Sequence, residues 1–194
     1  MVEELKPEIL LSAYANGIFP MADEQEEIRW YSPDPRAVIE LDHFKLPRSL
    51  KQHIRRGDYE IRFNTCFDSV IRQCADREDG TWISRDIIES YGRLHELGYA
   101  HSVETFYGEE LAGGLYGVSL GGAFFGESMF TDITDGSKLA LVALVERMQE
   151  RRMTLLDIQF LTPHLKRFGA VEISRDEYLR RLESAVHLET SFIN

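Results

Sequence analysis

Glu127, Asp157 and Gln159 are the residues whose types and spacing suit chemistry. The stretch Thr154-Leu155-Leu156-Asp157-Ile158-Gln159-Phe160-Leu161 reads as a strand. Asp157 and Gln159 then share one face, with Leu156, Ile158 and Phe160 on the other. Glu127 lies among Phe124, Phe125, Met129 and Phe130, where a carboxylate is costly to bury without a partner. A donor is expected beside it, and an internal arginine is the plainest choice. Such a set suits attack by an amine on an activated ester. That reaction needs orientation, a neutral amine and a polar group to take its proton or steady the oxyanion, with no metal and no covalent enzyme intermediate. Gln159 can orient the amine, and Asp157 can polarise Gln159.

Other chemistries lack their residues. The chain has no HExxH, no CxxC and no GxxxxGK phosphate loop. Its histidines at 43, 53, 95, 101, 164 and 187 lack metal-ligand spacing, so neither a metal nor a dissociable cofactor is expected. Gly117-Val118-Ser119-Leu120-Gly121 matches a nucleophile elbow only as a string, because it falls inside a predicted hairpin. Cys66 and Cys74 sit too far apart on one predicted helix to be bridged. Reduced thiols, with no leader and no apolar run of membrane-spanning length near the start, give the expectation of a cytoplasmic protein.

The elements that must position these groups centre on a hairpin over Glu109–Thr131, turning at Gly121-Gly122. Gly113, Gly114, Gly117 and Gly126 interrupt its strands, which implies that another backbone or a ligand lies close against it. Before it, helices are predicted over Pro7–Ala15, Thr65–Asp76 and Arg85–Leu97, with strands over Tyr59–Asn64 and Tyr99–Tyr107. Pro33-Asp34-Pro35 makes a rigid corner between two short strands and can fix Trp30 and Tyr31. After the hairpin, Asp135 can cap a helix from Ser137 to about Arg151. Thr162-Pro163 opens a helix that Gly169 closes, and the capping box Ser174-Arg175-Asp176-Glu177 opens the last one, after a strand near Val171–Ile173. Trp82, ending a polar loop, is either a core plug or a stacking platform, the plug being the safer reading.

The chain of 194 residues has 43% hydrophobic and 28% charged residues and a net charge of −11, which argues against non-specific coating of nucleic acid. Between Lys45 and Arg62 the balance inverts, with six cations against Asp58 and Glu60. Arg48, Lys51 and Arg55 would share one helical face. Either that face is simply solvated, or it tracks phosphates.

The strings Ala15-Asn16-Gly17-Ile18-Phe19-Pro20, Trp30-Tyr31-Ser32-Pro33-Asp34-Pro35-Arg36-Ala37, Gly80-Thr81-Trp82-Ile83, Gly113-Gly114-Leu115-Tyr116-Gly117-Val118, Gly126-Glu127-Ser128-Met129-Phe130 and Leu156-Asp157-Ile158-Gln159 carry a resemblance. In register from about Ser12 to Tyr178, the chain resembles the leucyl/phenylalanyl-tRNA–protein transferases of bacteria. The resemblance implies transfer of leucine or phenylalanine, with methionine a further candidate, from aminoacyl-tRNA to proteins with N-terminal Arg or Lys, marking them for degradation. It implies an α+β chain without metal or cofactor. A small, trimmed N-terminal domain (1–62) precedes a GNAT-like acyltransferase domain (63–194), whose mixed, largely antiparallel sheet is flanked by helices.

Carried over by position, Asp157 and Gln159 are the catalytic pair and Glu127 holds the aminoacyl-adenosine end. Leu115, Phe124 and Leu144 line the side-chain pocket; Trp82, Met21 and Trp30 belong to the substrate site. Arg48, Lys51, Arg55 and Arg56 face the tRNA acceptor stem. Met21 stands where the family commonly has tryptophan, and Leu115 and Leu144 stand for methionine and phenylalanine, which bears on the preference for Leu or Phe. Two other readings remain. An acyl-CoA-dependent N-acetyltransferase would need a Q/R-x-x-G-x-G/A turn, which is missing. A non-catalytic tRNA- or N-terminus-binding module is disfavoured by intact Asp157, Gln159 and Glu127, but fits Met21 and the short N-terminus.

Overall fold

The computed structural model describes residues 5–78 and 80–193, so the first four residues, and Asp79 of the loop before Trp82, lie outside it. Helix α1 (Pro7–Ala15) leads into the two-stranded sheet of β1 (Phe19–Ala22) and β2 (Ile28–Tyr31). Then come β3 (Arg36–Ile39), α2 (Arg48–Arg56), β4 (Glu60–Phe63), α3 (Phe67–Ala75), α4 (Arg85–Glu96), β5 (Ala100–Tyr107), β6 (Glu110–Leu120) and β7 (Ala123–Thr131). The chain ends with α5 (Gly136–Glu150), β8 (Leu155–Gln159), α6 (Pro163–Lys166), β9 (Ala170–Ile173) and α7 (Arg175–Val186). Seven strands form the main sheet in the order β4-β5-β6-β7-β8-β3-β9, antiparallel except for β7 beside β8. Both β3 and β4 belong to it, so this sheet draws on chain from either side of residue 62.

Side-chain alternation along the strands feeds two cores. On one face, Tyr116, Val118 and Phe125 pack with Leu10 and Tyr14 of α1, Val70 of α3, Tyr91 of α4 and Tyr178 of α7. On the other, Leu115, Phe124 and Leu156 pack with Leu50 of α2 and the wide apolar face of α5. Thus β7 and β8 are covered on both sides, which is why the adjacent pairs Phe124-Phe125 and Leu155-Leu156 are all buried.

Two irregularities open the sheet. β7 and β8 pair only over Ala123–Phe125 and Leu155–Asp157, so beyond Gly126 the two strands part. In the β6–β7 pairing, Tyr116 faces Ser128 and Gly117 faces Gly126, leaving Glu127 as the extra residue of a β-bulge. Gly117 is required there, since a Cβ would collide with the Phe125 carbonyl and the Phe124 ring. At Gly113 a Cβ would lie 2.7 Å from the backbone of Gly136, so the close neighbour expected there is the start of α5.

Two local expectations are corrected. Asp135 precedes α5 but is itself left-handed (φ +70°) and makes no side-chain cap; its carboxylate accepts from Lys138 Nζ (2.5 Å) and His53 Nδ1 (3.2 Å) instead. Phe160 does not continue the alternation of Leu156 and Ile158. Gln159 has φ +64°, and Phe160 N donates to Ile158 O (2.7 Å), a tight turn that swings the Phe160 ring edge-on to Phe19.

Candidate active site

Where β7 and β8 diverge lies a cavity of about 310 Å³. Glu127 and Gln159 reach it from the two strands, Leu115 and Tyr116 from β6, Leu141 and Leu144 from α5, and Met21 and Trp82 from the N-terminal side. Its size and mixed lining suit a small side chain with a few oriented polar atoms. Gln159 Nε2 donates to Glu127 Oε1 (3.1 Å), which also accepts from Tyr14 Oη (2.8 Å); the Tyr14 hydroxyl in turn contacts that of Tyr91. With its Nε2 committed to Glu127, Gln159 keeps Oε1 as an acceptor.

Asp157 stands one step behind. Arg36 grips it with Nε to Oδ1 (2.9 Å) and Nη2 to Oδ2 (2.6 Å), and Tyr178 Oη donates to Oδ2 (2.7 Å). A further bond runs from the backbone N–H of Gln159 to Oδ1 (2.8 Å), so Asp157 acts on the Gln159 main chain and not on its amide. Arg36 and Asp157 are both essentially buried. Burial opposes the Arg36 charge, but the Asp157 hydrogen bonds and charge override it and hold the guanidinium above its ordinary pKa. The arginine expected beside Glu127 thus serves Asp157.

Burial pushes Glu127 up to about 7. The hydrogen bonds from Tyr14 and Gln159 pull it down, the Asp157 charge adds to the rise, and the Arg36 charge opposes it. Among the described residues three buried side-chain polar atoms have no hydrogen-bond partner, namely Glu127 Oε2, Tyr116 Oη and His164 Nε2, and all three belong to residues lining this cavity. Native proteins seldom leave such atoms unsatisfied, and water or a polar ligand in the cavity is the available partner.

Of the residues expected from sequence, Glu127, Gln159, Trp82, Leu115, Leu144 and Met21 line the cavity. Trp82 is only partly buried and its carbonyl accepts from Ala22 N (3.1 Å), tying the β1–β2 sheet to the cavity rim. Phe124 does not line it; it is fully buried on the α5 side, 5.0 Å from the Phe192 ring. Trp30 is 43% exposed and lines a separate outer groove with Ile9 and Ile18. Arg48, Lys51, Arg55 and Arg56 lie on α2 with their side chains exposed, and none forms an ion pair with a described residue. Sequence reasoning missed Arg36, Tyr14, Tyr91, Tyr116 and His164. Arg36 had a readable signal, as the one charge in the apolar strand Arg36-Ala37-Val38-Ile39, able to answer the lone Asp157 of another. The tyrosines had none, since on amphipathic elements they read as core.

Residues 38–183 match the profile of the leucyl/phenylalanyl-tRNA protein transferases, and residues 3–34 that of the N-terminal domain of the same proteins. The leucyl/phenylalanyl-tRNA–protein transferase of Rubrobacter xylanophilus is 53% identical over 189 residues, 97% of this chain and 98% of that one. The protein of the same name from Gloeobacter violaceus is 53% identical over 193 residues, 99% and 100% of the two chains. That from Anaeromyxobacter sp. strain K is 51% identical, covering 96% of this chain and 82% of its own. Among solved structures, an L-PGS from Bacillus licheniformis aligns over 92% of this chain and 76% of that one, with a TM-score of 0.49 and 13% identity.

Proposed function

We propose that this chain, which belongs to the leucyl/phenylalanyl-tRNA–protein transferase family, moves leucine, phenylalanine or methionine from aminoacyl-tRNA to the α-amino group of proteins beginning with Arg or Lys, marking them for N-degron proteolysis. The observation that carries this reading is the Glu127–Gln159 pair in the opening between β7 and β8, with unpaired acceptor capacity on both residues. The aminoacyl side chain occupies the apolar part by Leu115, Leu144 and Leu156. Glu127 Oε2 accepts from the aminoacyl-adenosine end, and Gln159 Oε1 accepts from the incoming neutral amine and aims its lone pair at the ester carbonyl. The new C–N bond forms as the C–O bond to the ribose breaks, and the proton released by the amine passes to the departing ribose oxygen. Nothing in this sequence of events requires a side-chain nucleophile; its rate comes from orientation. Asp157 is a positioning residue that holds the Gln159 backbone. The parting of a parallel strand pair around the site supports a GNAT-like relationship for the main sheet. The α2 cations support a contact with the tRNA acceptor stem.

The test is transfer of labelled leucine, phenylalanine and methionine from charged tRNA to peptides beginning with Arg, Lys or Ala, with acetyl-CoA as a parallel donor. Transfer from tRNA to the Arg and Lys peptides alone is expected. Acetylation, or equal transfer to the Ala peptide, would overturn the reading.

A further inference from the structure

Of the unpaired polar atoms, the proposed reaction leaves Tyr116 Oη and His164 Nε2 idle, and His164 is the one outside the sheet. It lies in the short helix α6 and forms a wall shared by two spaces, the main cavity and a notch of about 10 Å³ beside it. Ser49 and Leu50 from the first turn of α2, Lys138 of α5, and Arg167 and Phe168 just after α6 complete the notch. That volume holds about one water-sized atom, so it suits a single oxygen reaching in from a larger group outside.

The groups around it are electropositive. Arg167 is exposed and forms no ion pair with a described residue, while Lys138 reaches the acid Asp135 at 2.5 Å. Burial first, then the charges of Lys138 and Arg167, hold His164 below its ordinary pKa. This favours the neutral ring, whose Nε2 can carry a proton to donate while Lys138 and Arg167 supply the charge. The exposed cations of α2 continue from the same first turn that lines the notch. Asp135 ties the parts into one frame, because it also holds His53 of α2, whose Nε2 accepts from Tyr107 Oη (2.5 Å).

We propose that Lys138, His164 and Arg167 form a seat for an internucleotide phosphate of the aminoacyl donor, at the doorway between the cavity and the basic face of α2. The proposal rests on the transferase reading, which puts the aminoacyl-adenosine end in the cavity and leaves a phosphodiester chain to exit from it. One phosphate oxygen enters the notch against His164 Nε2, and Lys138 and Arg167 flank the others.

Two small donors test the seat, aminoacyl-adenosine, with no internucleotide phosphate, and aminoacyl-cytidylyl-(3′–5′)-adenosine, with one. For the unaltered protein the second should be the better donor. Arg167→Gln, at an exposed position, should lower the ratio of kcat/KM for the second donor over the first about tenfold, through KM. Lys138→Gln should act in the same direction. His164→Leu should also lower the ratio, and His164→Gln, which keeps an N–H, should restore part of it. An unchanged ratio in all variants, or equal loss with both donors, would overturn the seat. If the unaltered protein transfers from neither donor, it is the transferase reading that fails. Binding of uncharged CpA against adenosine then decides the seat: a preference for CpA that Arg167→Gln removes supports it, and equal binding overturns it.

Discussion

Gln159 holds a backbone conformation that a side-chain-bearing residue adopts at a cost on the order of 1–3 kcal/mol. Two bonds enforce it, the N–H on Asp157 and the amide on Glu127. Gln159→Ala removes the amide and keeps the strain, whereas Gln159→Gly removes both. Each should lower kcat by about 10²-fold with donor affinity little changed, since orientation is what each variant gives up. The glycine variant should be the more stable by about 1 kcal/mol in urea unfolding, and equal stabilities would refute strain at this position. Glu127 adds a pH signature. Its carboxyl titrates near an ordinary 4.5 when unfolded and about 7 in the native chain, so between these values the native state binds the extra proton. Stability should therefore fall as pH rises from about 4.5 to 7, by on the order of 3 kcal/mol, and Glu127→Gln should flatten that slope. Donor binding through the carboxylate should rise as pH passes through about 7, where the native carboxyl ionises. Tyr14→Phe, deleting a bond that lowers the Glu127 pKa, should shift the rise to higher pH; a shift to lower pH would contradict the assigned cause.

At the scale of elements, the site depends on how β3 and β8 are joined. Arg36→Met would strand the Asp157 charge in the interior and should cost about 3–5 kcal/mol. Arg36→Met with Asp157→Leu should regain most of that stability while activity stays low, because the Gln159 N–H still lacks its acceptor; recovery of activity with stability would assign Asp157 a purely structural role. Much at this scale was legible from local patterns. The helical repeat of α3 and α4, the Gly121-Gly122 turn and the capping serine and threonine of α7 and α6 all report on the residues beside them. What was not legible is long-range. Nothing near residues 36–39 announces a place between β8 and β9, and nothing in β7 shows that its pairing with β8 stops at Phe125. The bulge at Glu127 and the turn at Gln159 escape for the same reason, being fixed by partners about 10 or more residues away in the chain or by strain that alternation does not encode.

At the scale of the whole molecule, an overall charge of −11 must be reconciled with a polyanionic donor. Composition pointed to α2, and the structure leaves its cations exposed and fastens the helix through buried His53 to Asp135 and Tyr107. At physiological salt the Debye length is about 8 Å, so a bound phosphate feels the cations beside it far more than the acids spread over the rest of the surface. Arg55→Gln with Arg56→Gln makes the net charge only slightly more negative, from −11 to −13, yet should weaken tRNA binding by an order of magnitude or more at low salt. The slope of log affinity against log salt should shrink by about 0.9 for each duplex phosphate that the protein no longer neutralises. Glu24→Gln in the β1–β2 loop changes net charge in the opposite sense without touching α2, and should leave that slope unaltered. Were bulk charge in control, the loop variant would strengthen binding and the two arginine changes would act only in proportion to their share of the total. Local control instead predicts a weakening confined to α2 variants, with kcat at saturating donor preserved, since these residues lie outside the cavity where the ester is attacked.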